Sequence, residues 1–282
     1  MSPSLPRVLA RRYVTPLREG GSLPAVVETD RGLAVAKFRG AGQGARALVA
    51  EIIVGGIAEA LGLPLPEVTL IDAPEGFGHA EPDPEIQDIL RGSRGLNVGL
   101  GFIEGAFPFD PVAASDLVSP TLAADIVWLD ALTTNIDRTA RNPNLLIAGD
   151  EATLWLIDHG AALYFHHNWD AVDEARARAP FAAIKDHVLL PIAASVTDAD
   201  ARLAARVSGT TIDAILARIP DDLLMDAPEG RTPPFDSAEA NREAYARYFR
   251  ARLAAPRAWA EAAETARQSL GTGDDTPLAY RR

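Results

Sequence analysis

Cysteine is absent from the 282 residues, which excludes disulfides, thiolate metal centres and cysteine nucleophiles, and nothing points to an oxidising compartment. Lysine is scarce: Lys37 and Lys185 are its two occurrences in a chain that otherwise takes its positive charge from arginine. Long apolar runs are missing, since residues 52–63 are interrupted by Glu59 and glycines and the N-terminal residues lack an apolar leader core. These absences predict a cytoplasmic chain with no membrane span. Positive charge is outnumbered, 27 Lys and Arg against 39 Asp and Glu, and the net −12 repels phosphate backbones, which argues against a nucleic-acid partner. No Gly-Lys-Ser/Thr phosphate loop occurs, and Gly99, Gly101 and Gly105 are too irregular for a dinucleotide fingerprint. Ser93 lacks the Gly-x-Ser-x-Gly elbow of a hydrolase nucleophile. What is present is 48% hydrophobic content, enough to bury a core.

The stretch 135–160, NIDRTARNPNLLIAGDEATLWLIDHG, carries the most chemistry. Residues 145–147 and 153–157 are short apolar runs joined at Gly149-Asp150, the pattern of a hairpin, and a polar loop precedes them. Asp137 and Asn142 stand in that loop, and Asp158 follows the second strand. Folding of the hairpin returns Asp158 to the neighbourhood of Asn142, because both lie at one end of the paired strands. Phosphoryl transfer needs a carboxylate near the attacking hydroxyl and hard oxygen ligands to hold magnesium against ATP phosphates. Asp137 fits the first role, and Asn142 and Asp158 fit the second. Asp and Asn are also ordinary turn formers, and it is their spacing around the hairpin that favours a site.

Upstream, residues 13–17, 25–29 and 33–38 read as three antiparallel strands separated by turns. The first turn, with Gly20, Gly21 and Ser22, has the composition to lay backbone N–H groups over phosphates, although two glycines between strands more often make only a hairpin. Lys37 ends the third strand. In an arginine-rich chain a retained lysine suits a site that needs a compact ammonium acting as a point charge, against the plainer reading of a lysine snorkelling from a strand end. Residues 45–61 carry Leu48, Val49, Ile52, Ile53, Ile57 and Leu61 at helical spacing, with Glu51 at the edge of the stripe.

Asn135-x-Asp137-x-x-x-x-Asn142, followed after a strand by Asp158, resembles the HipA-like kinases, relatives of the eukaryotic protein kinases and phosphatidylinositol kinases. Ala34-Val35-Ala36-Lys37 is similar to the Val-Ala-Ile-Lys signature of kinases. The resemblance implies an α+β, two-lobed protein kinase-like fold, with a small antiparallel-sheet lobe over 1–102 and a larger, mostly helical lobe over 103–282. It implies ATP in the cleft between the lobes, Lys37 on the phosphates, Glu51 orienting Lys37, Gly20, Gly21 and Ser22 over the phosphates, and adenine against the backbone near Phe102 and Glu104. It makes Asp137 the catalytic residue and Asn142 and Asp158 the ligands of Mg2+. Thr139 departs from the pattern, because many members carry His there.

The function implied is transfer of the γ-phosphate of ATP to a hydroxyl, with Ser or Thr of a protein as first choice. A nucleotide-binding pseudokinase or scaffold, and a lipid or small-molecule kinase, are the alternatives. For the C-terminal half the apolar pattern predicts helices over 120–134, 171–183, 198–207, 212–219 and 238–269, with Thr197 or Asp198 and Ser237 as N-caps. His166 and His167 are expected on the surface or in a substrate-facing segment, and Arg138 and Arg141, beside Asp137, are within reach of transferring phosphate or substrate, although exposed arginines of a polar loop usually contact neither.

Overall fold

The computed structural model describes residues 4–17, 23–227 and 232–270. In chain order its elements are β1 (Arg7–Pro16), β2 (Ala25–Thr29), β3 (Gly32–Lys37), α1 (Ala45–Leu61), β4 (Val68–Ala73), α2 (Pro84–Arg91), β5 (Gly95–Gly101), β6 (Phe107–Pro108), α3 (Pro120–Thr133), β7 (Leu145–Ala148) and β8 (Thr153–Leu156). Then follow α4 (Glu174–Arg178), α5 (Val196–Leu203), α6 (Gly209–Leu216), α7 (Asp221–Leu224), α8 (Ala238–Leu253) and α9 (Ala258–Leu270). The chain divides into two compact units. One takes Met1–Gly56, Pro66–Glu104 and Asp213–Tyr245, and the other takes Ile57–Leu65, Gly105–Ile212 and Ala246–Arg282.

In the first unit the small antiparallel sheet expected from the sequence is corrected to a closed five-stranded barrel, in the order β1-β2-β3-β5-β4. β1, β2, β3, β5 and β4 pair antiparallel in turn, and the ring closes through a parallel pairing of Arg7, Val8 and Leu9 with Leu70, Ile71 and Asp72. Closure removes the unpaired edges that an open sheet exposes. A ring this narrow admits mainly small side chains. Ala10, Ala25, Ala34 and Ala36 supply them beside Val8, Val27 and Ile71, and Ile86 and Leu90 of α2 join the same buried cluster. A Cβ at Gly99 would collide with the Ile71 side chain, which is why β5 carries glycine there. The β2–β3 turn is tied by Thr29 Oγ1, which donates to Gly32 O at 2.8 Å.

In the second unit α3 is the buried axis: Ala123, Ala124 and the run from Ile126 to Thr133 are all inaccessible. Such a helix reads as apolar all round because every face meets protein. Ser119 caps its start, accepting from Leu122 N at 3.2 Å, and Pro120 occupies the first turn where its missing N–H costs nothing. α5 and α9 pack on α3, with Trp128 set edge-on to Trp259 and donating its indole N–H to Asp200 Oδ1 at 2.8 Å. β6, β7 and β8 form a separate three-stranded antiparallel sheet.

Several expectations for this half need correction. The helical pattern over 238–269 is two helices, α8 and α9, interrupted around Pro256, which has no N–H to give and clashes with the preceding turn. The pattern over 171–183 yields only α4 and a 3-10 turn at Ala182–Asp186, because Pro180 separates them. α5 starts earlier than foreseen, with Ser195 as the cap accepting from Asp198 N at 3.1 Å. His166 is fully buried rather than on the surface. Among the described residues no helix is long and apolar enough to cross a membrane.

Candidate active site

α3 delivers the chain to Asp137, and its last turn is hydrogen-bonded throughout. A helix end leaves four carbonyls without helical partners. Here Asp130 O accepts from Asn135 N at 2.9 Å and Thr133 O from Leu163 N at 2.8 Å. Ala131 O and Leu132 O accept from Nη2 and Nε of Arg252, each at 2.6 Å. Arg252 is itself buried, which pulls its pKa below the ordinary value, and it also donates to Ala177 O at 2.8 Å and lies 5.3 Å from the Trp259 ring centroid. Its charge meets the negative end of the helix dipole. Thr134, with φ +52°, then turns the chain out of the helix axis.

The loop that follows closes on itself through short polar links. Asn135 Oδ1 accepts from Asp137 N at 3.1 Å, and Thr139 N donates to Asp137 O and Asn142 O, both at 3.0 Å. The Asp137 carboxylate Oδ2 accepts from Asn142 Nδ2 at 2.8 Å and from Asn144 Nδ2 at 3.2 Å. An ionised carboxylate only accepts, so Asn142 turns its nitrogen to Asp137 and keeps its carbonyl oxygen for another partner. The structure therefore brings Asp137 and Asn142 together.

Asp158 reaches the same end of the hairpin through the strand register. Leu145 pairs with Leu156 and Ile157 N donates to Asn144 O at 3.1 Å, so the chain leaves the hairpin towards Asp158 at the same end where it enters from Asn142. Asp158 and Asn144 both have left-handed backbones, φ +53° and +51°. Non-glycine residues hold such angles at a cost of about 1–3 kcal/mol each, and they concentrate at functional sites.

Arg138 is where the sequence reading fails. It is buried rather than exposed, and its Nε donates to Asp130 Oδ2 at 2.6 Å. Its Nη1 donates to Asn144 O and, at 3.3 Å, to Ile157 O, so one guanidinium joins the ends of β7 and β8. Asp130 also takes Asn135 Nδ2 on Oδ1 at 3.0 Å and His187 Nε2 on Oδ2 at 2.9 Å. Burial alone would raise the Asp130 pKa, but the Arg138 charge and the His187 hydrogen bond override it and hold the carboxyl well below the usual carboxylate range. Leu189 N donates to His187 Nδ1 at 3.1 Å, which puts the imidazole proton on Nε2, facing Asp130. Burial, opposed by the Asp130 hydrogen bond, lowers the His187 pKa and keeps the ring neutral. Asp130 and His187 are absent from the sequence reading; the one signal for Asp130 was an acid among the apolar residues Ile126 to Leu132. Arg141 is exposed, as expected.

In the first unit, Lys37 at the end of β3 and Glu51 on α1 form a buried ion pair between Nζ and Oε1. Phe102 and Glu104, just after β5, are exposed, and Phe102 N donates to Leu33 O at 3.4 Å. Gly20, Gly21 and Ser22 lie outside the described residues. No group of three or more His, Cys, Asp or Glu among the described residues is placed to hold a metal.

Residues 27–250 match the model of the HipA-like kinases, well over half of the chain. The chain belongs to the HipA-like kinase family. Within the matched span fall Lys37, Glu51, Asp137, Asn142 and Asp158, whereas Gly20, Gly21 and Ser22 precede it. The fold of this HipA-like kinase is similar to that of a Helicobacter pylori proinflammatory kinase, CtkA, with a TM-score of 0.52 at 13% identity, over 95% of this chain and 100% of that one. No curated protein matches the chain in sequence.

Proposed function

We propose that this HipA-like kinase transfers the γ-phosphate of ATP, with Mg2+, to a hydroxyl acceptor, and that the acceptor is a Ser or Thr of a protein. The observation that carries the reading is the Asp137 carboxylate, oriented by the amides of Asn142 and Asn144. In this reading the Asn142 carbonyl and the Asp158 carboxylate supply the hard oxygens, whose chemistry suits magnesium. Asn142 and Asp158 would hold magnesium, which when bound would offset negative charge on the phosphate oxygens of ATP. Asp137 orients the acceptor hydroxyl and takes its proton as the new O–P bond forms and the bond to ADP breaks. Lys37 serves the phosphates as a point charge, and Glu51 fixes its ammonium. The backbone near Phe102 and Glu104 receives adenine.

The test is thermal stabilisation by ATP with and without Mg2+ on the wild type and on Asp158→Ala. A ligand that binds only the folded chain adds about 2.7 kcal/mol at a hundred times its Kd. The expected result is a magnesium-dependent rise in Tm that shrinks in Asp158→Ala. Absence of any shift in the wild type would remove the nucleotide site from the account.

A further inference from the structure

Asp130 lies on α3, seven residues before Asp137, and nothing in phosphoryl transfer calls for a third carboxylate there. We propose that Asp130 is a positioning residue for the phosphotransfer site, a buried carboxylate that sets the Asp137 loop and the hairpin end before Asp158 through Asn135, Arg138 and His187. The inference rests on the kinase reading above.

Each of its three partners passes the constraint onward. Asn135 gives its Nδ2 to Asp130 and uses its Oδ1 to hold Asp137 N. Arg138, the residue next to Asp137, gives Nε to Asp130 and spans Asn144 O and Ile157 O, which flank the proposed metal ligands Asn142 and Asp158. His187 approaches from a distant segment that pairs with the loop, as Thr139 and His187 form a bridge and Val188 N donates to Arg138 O at 3.0 Å. Asp130, Asn135, Arg138 and His187 are all buried. Loop residues before and after Asp137 thus hang on one carboxylate.

A structural role alone does not explain a charge at this point. Replacing a buried ion pair by apolar residues of similar volume is often neutral or stabilising, because both ions must be stripped of water. What apolar side chains do not reproduce is direction: Asp130 accepts three hydrogen bonds at fixed angles, two of them on one oxygen. A misplacement of about 1 Å in a reacting group costs on the order of 10²-fold in rate.

The experiment compares the wild type with Asp130→Asn, and with the charge-neutral double variant Asp130→Leu/Arg138→Met, in case the single variant, which leaves Arg138 uncompensated, does not fold. Phosphotransfer kcat, KM for ATP, urea unfolding and deuterium exchange over residues 135–145 are read together. For the double variant the expected result is a urea midpoint close to wild type, little change in KM, a kcat lower by on the order of 10²-fold, and faster exchange confined to 135–145. Wild-type kcat with wild-type exchange in that loop overturns the proposal. So does faster exchange throughout the second unit, which is the mark of a purely structural residue. If the wild type itself transfers no phosphate, the kinase reading fails on its own account, and the exchange pattern still decides whether Asp130 sets the loop.

Discussion

Lys37 and Glu51 show what one residue pair contributes and what it requires. Both charges are taken out of water, so breaking the pair costs more than making it gains. Lys37→Met leaves the Glu51 carboxylate buried without its ammonium and is expected to cost about 3–5 kcal/mol in urea unfolding. Lys37→Met/Glu51→Leu is expected to recover most of that loss, and neither variant should show the wild-type response to magnesium and ATP. A single variant as stable as the wild type would contradict the buried pair. At this scale the sequence was readable where composition made a residue conspicuous: Lys37 is one of two lysines, and Glu51 is an acid at the edge of an apolar stripe. Arg138 was misread, because an arginine among Asn, Asp, Pro and Thr has the same local signature whether it faces water or a buried carboxylate. Its partner Asp130 is eight positions away, and His187 is 57 positions from Asp130. No local spacing rule connects them.

Among the elements, α3 and the hairpin formed by β7 and β8 carry Asp137, Asn142 and Asp158 at their ends, and both were legible. Ser119-Pro120 announces the start of α3, and Gly149 marks the turn between the strands. What the sequence could not show is how the end of α3 is closed, since Arg252 arrives from α8 to take two of its carbonyls. Pro180 and Pro256 were legible as breaks, and the apolar pattern on either side was weighed too heavily against them. The contact between α3 and the segment around His187 has a pH signature. The His187 pKa is depressed in the folded chain, so below about 6.5 the unfolded chain takes up a proton that the folded chain refuses. Stability therefore falls as pH drops from 7 towards 5. His187→Gln, which keeps a donor for Asp130, is expected to show a shallower fall in Tm over that interval, and an unchanged slope would contradict the assignment. The Asp130 contribution belongs to a separate window: its depressed pKa gives stability that is present above about 3.9 and is lost as pH falls through the folded value.

For the whole molecule, the sequence was least informative about closure of the barrel. β2 and β3 were visible close to their bounds, but β1 begins at Arg7 rather than at residue 13, its parallel pairing with β4 joins segments some sixty residues apart, and only the small side chains at Ala10, Ala25, Ala34 and Ala36 hint at a narrow interior. The family match runs through both units, with Lys37 and Glu51 in one and Asp137, Asn142 and Asp158 in the other. In the reading proposed above, this HipA-like kinase moves a phosphoryl group with Asp137 as its base. The most direct measurement is release or transfer of labelled γ-phosphate from ATP by the wild type and by Asp137→Asn, each with and without magnesium. The expected result is magnesium-dependent turnover by the wild type and a drop on the order of 10²–10⁴-fold in the variant, with nucleotide binding retained. Equal turnover by the two proteins, or none by a wild type that binds magnesium and ATP, would contradict it.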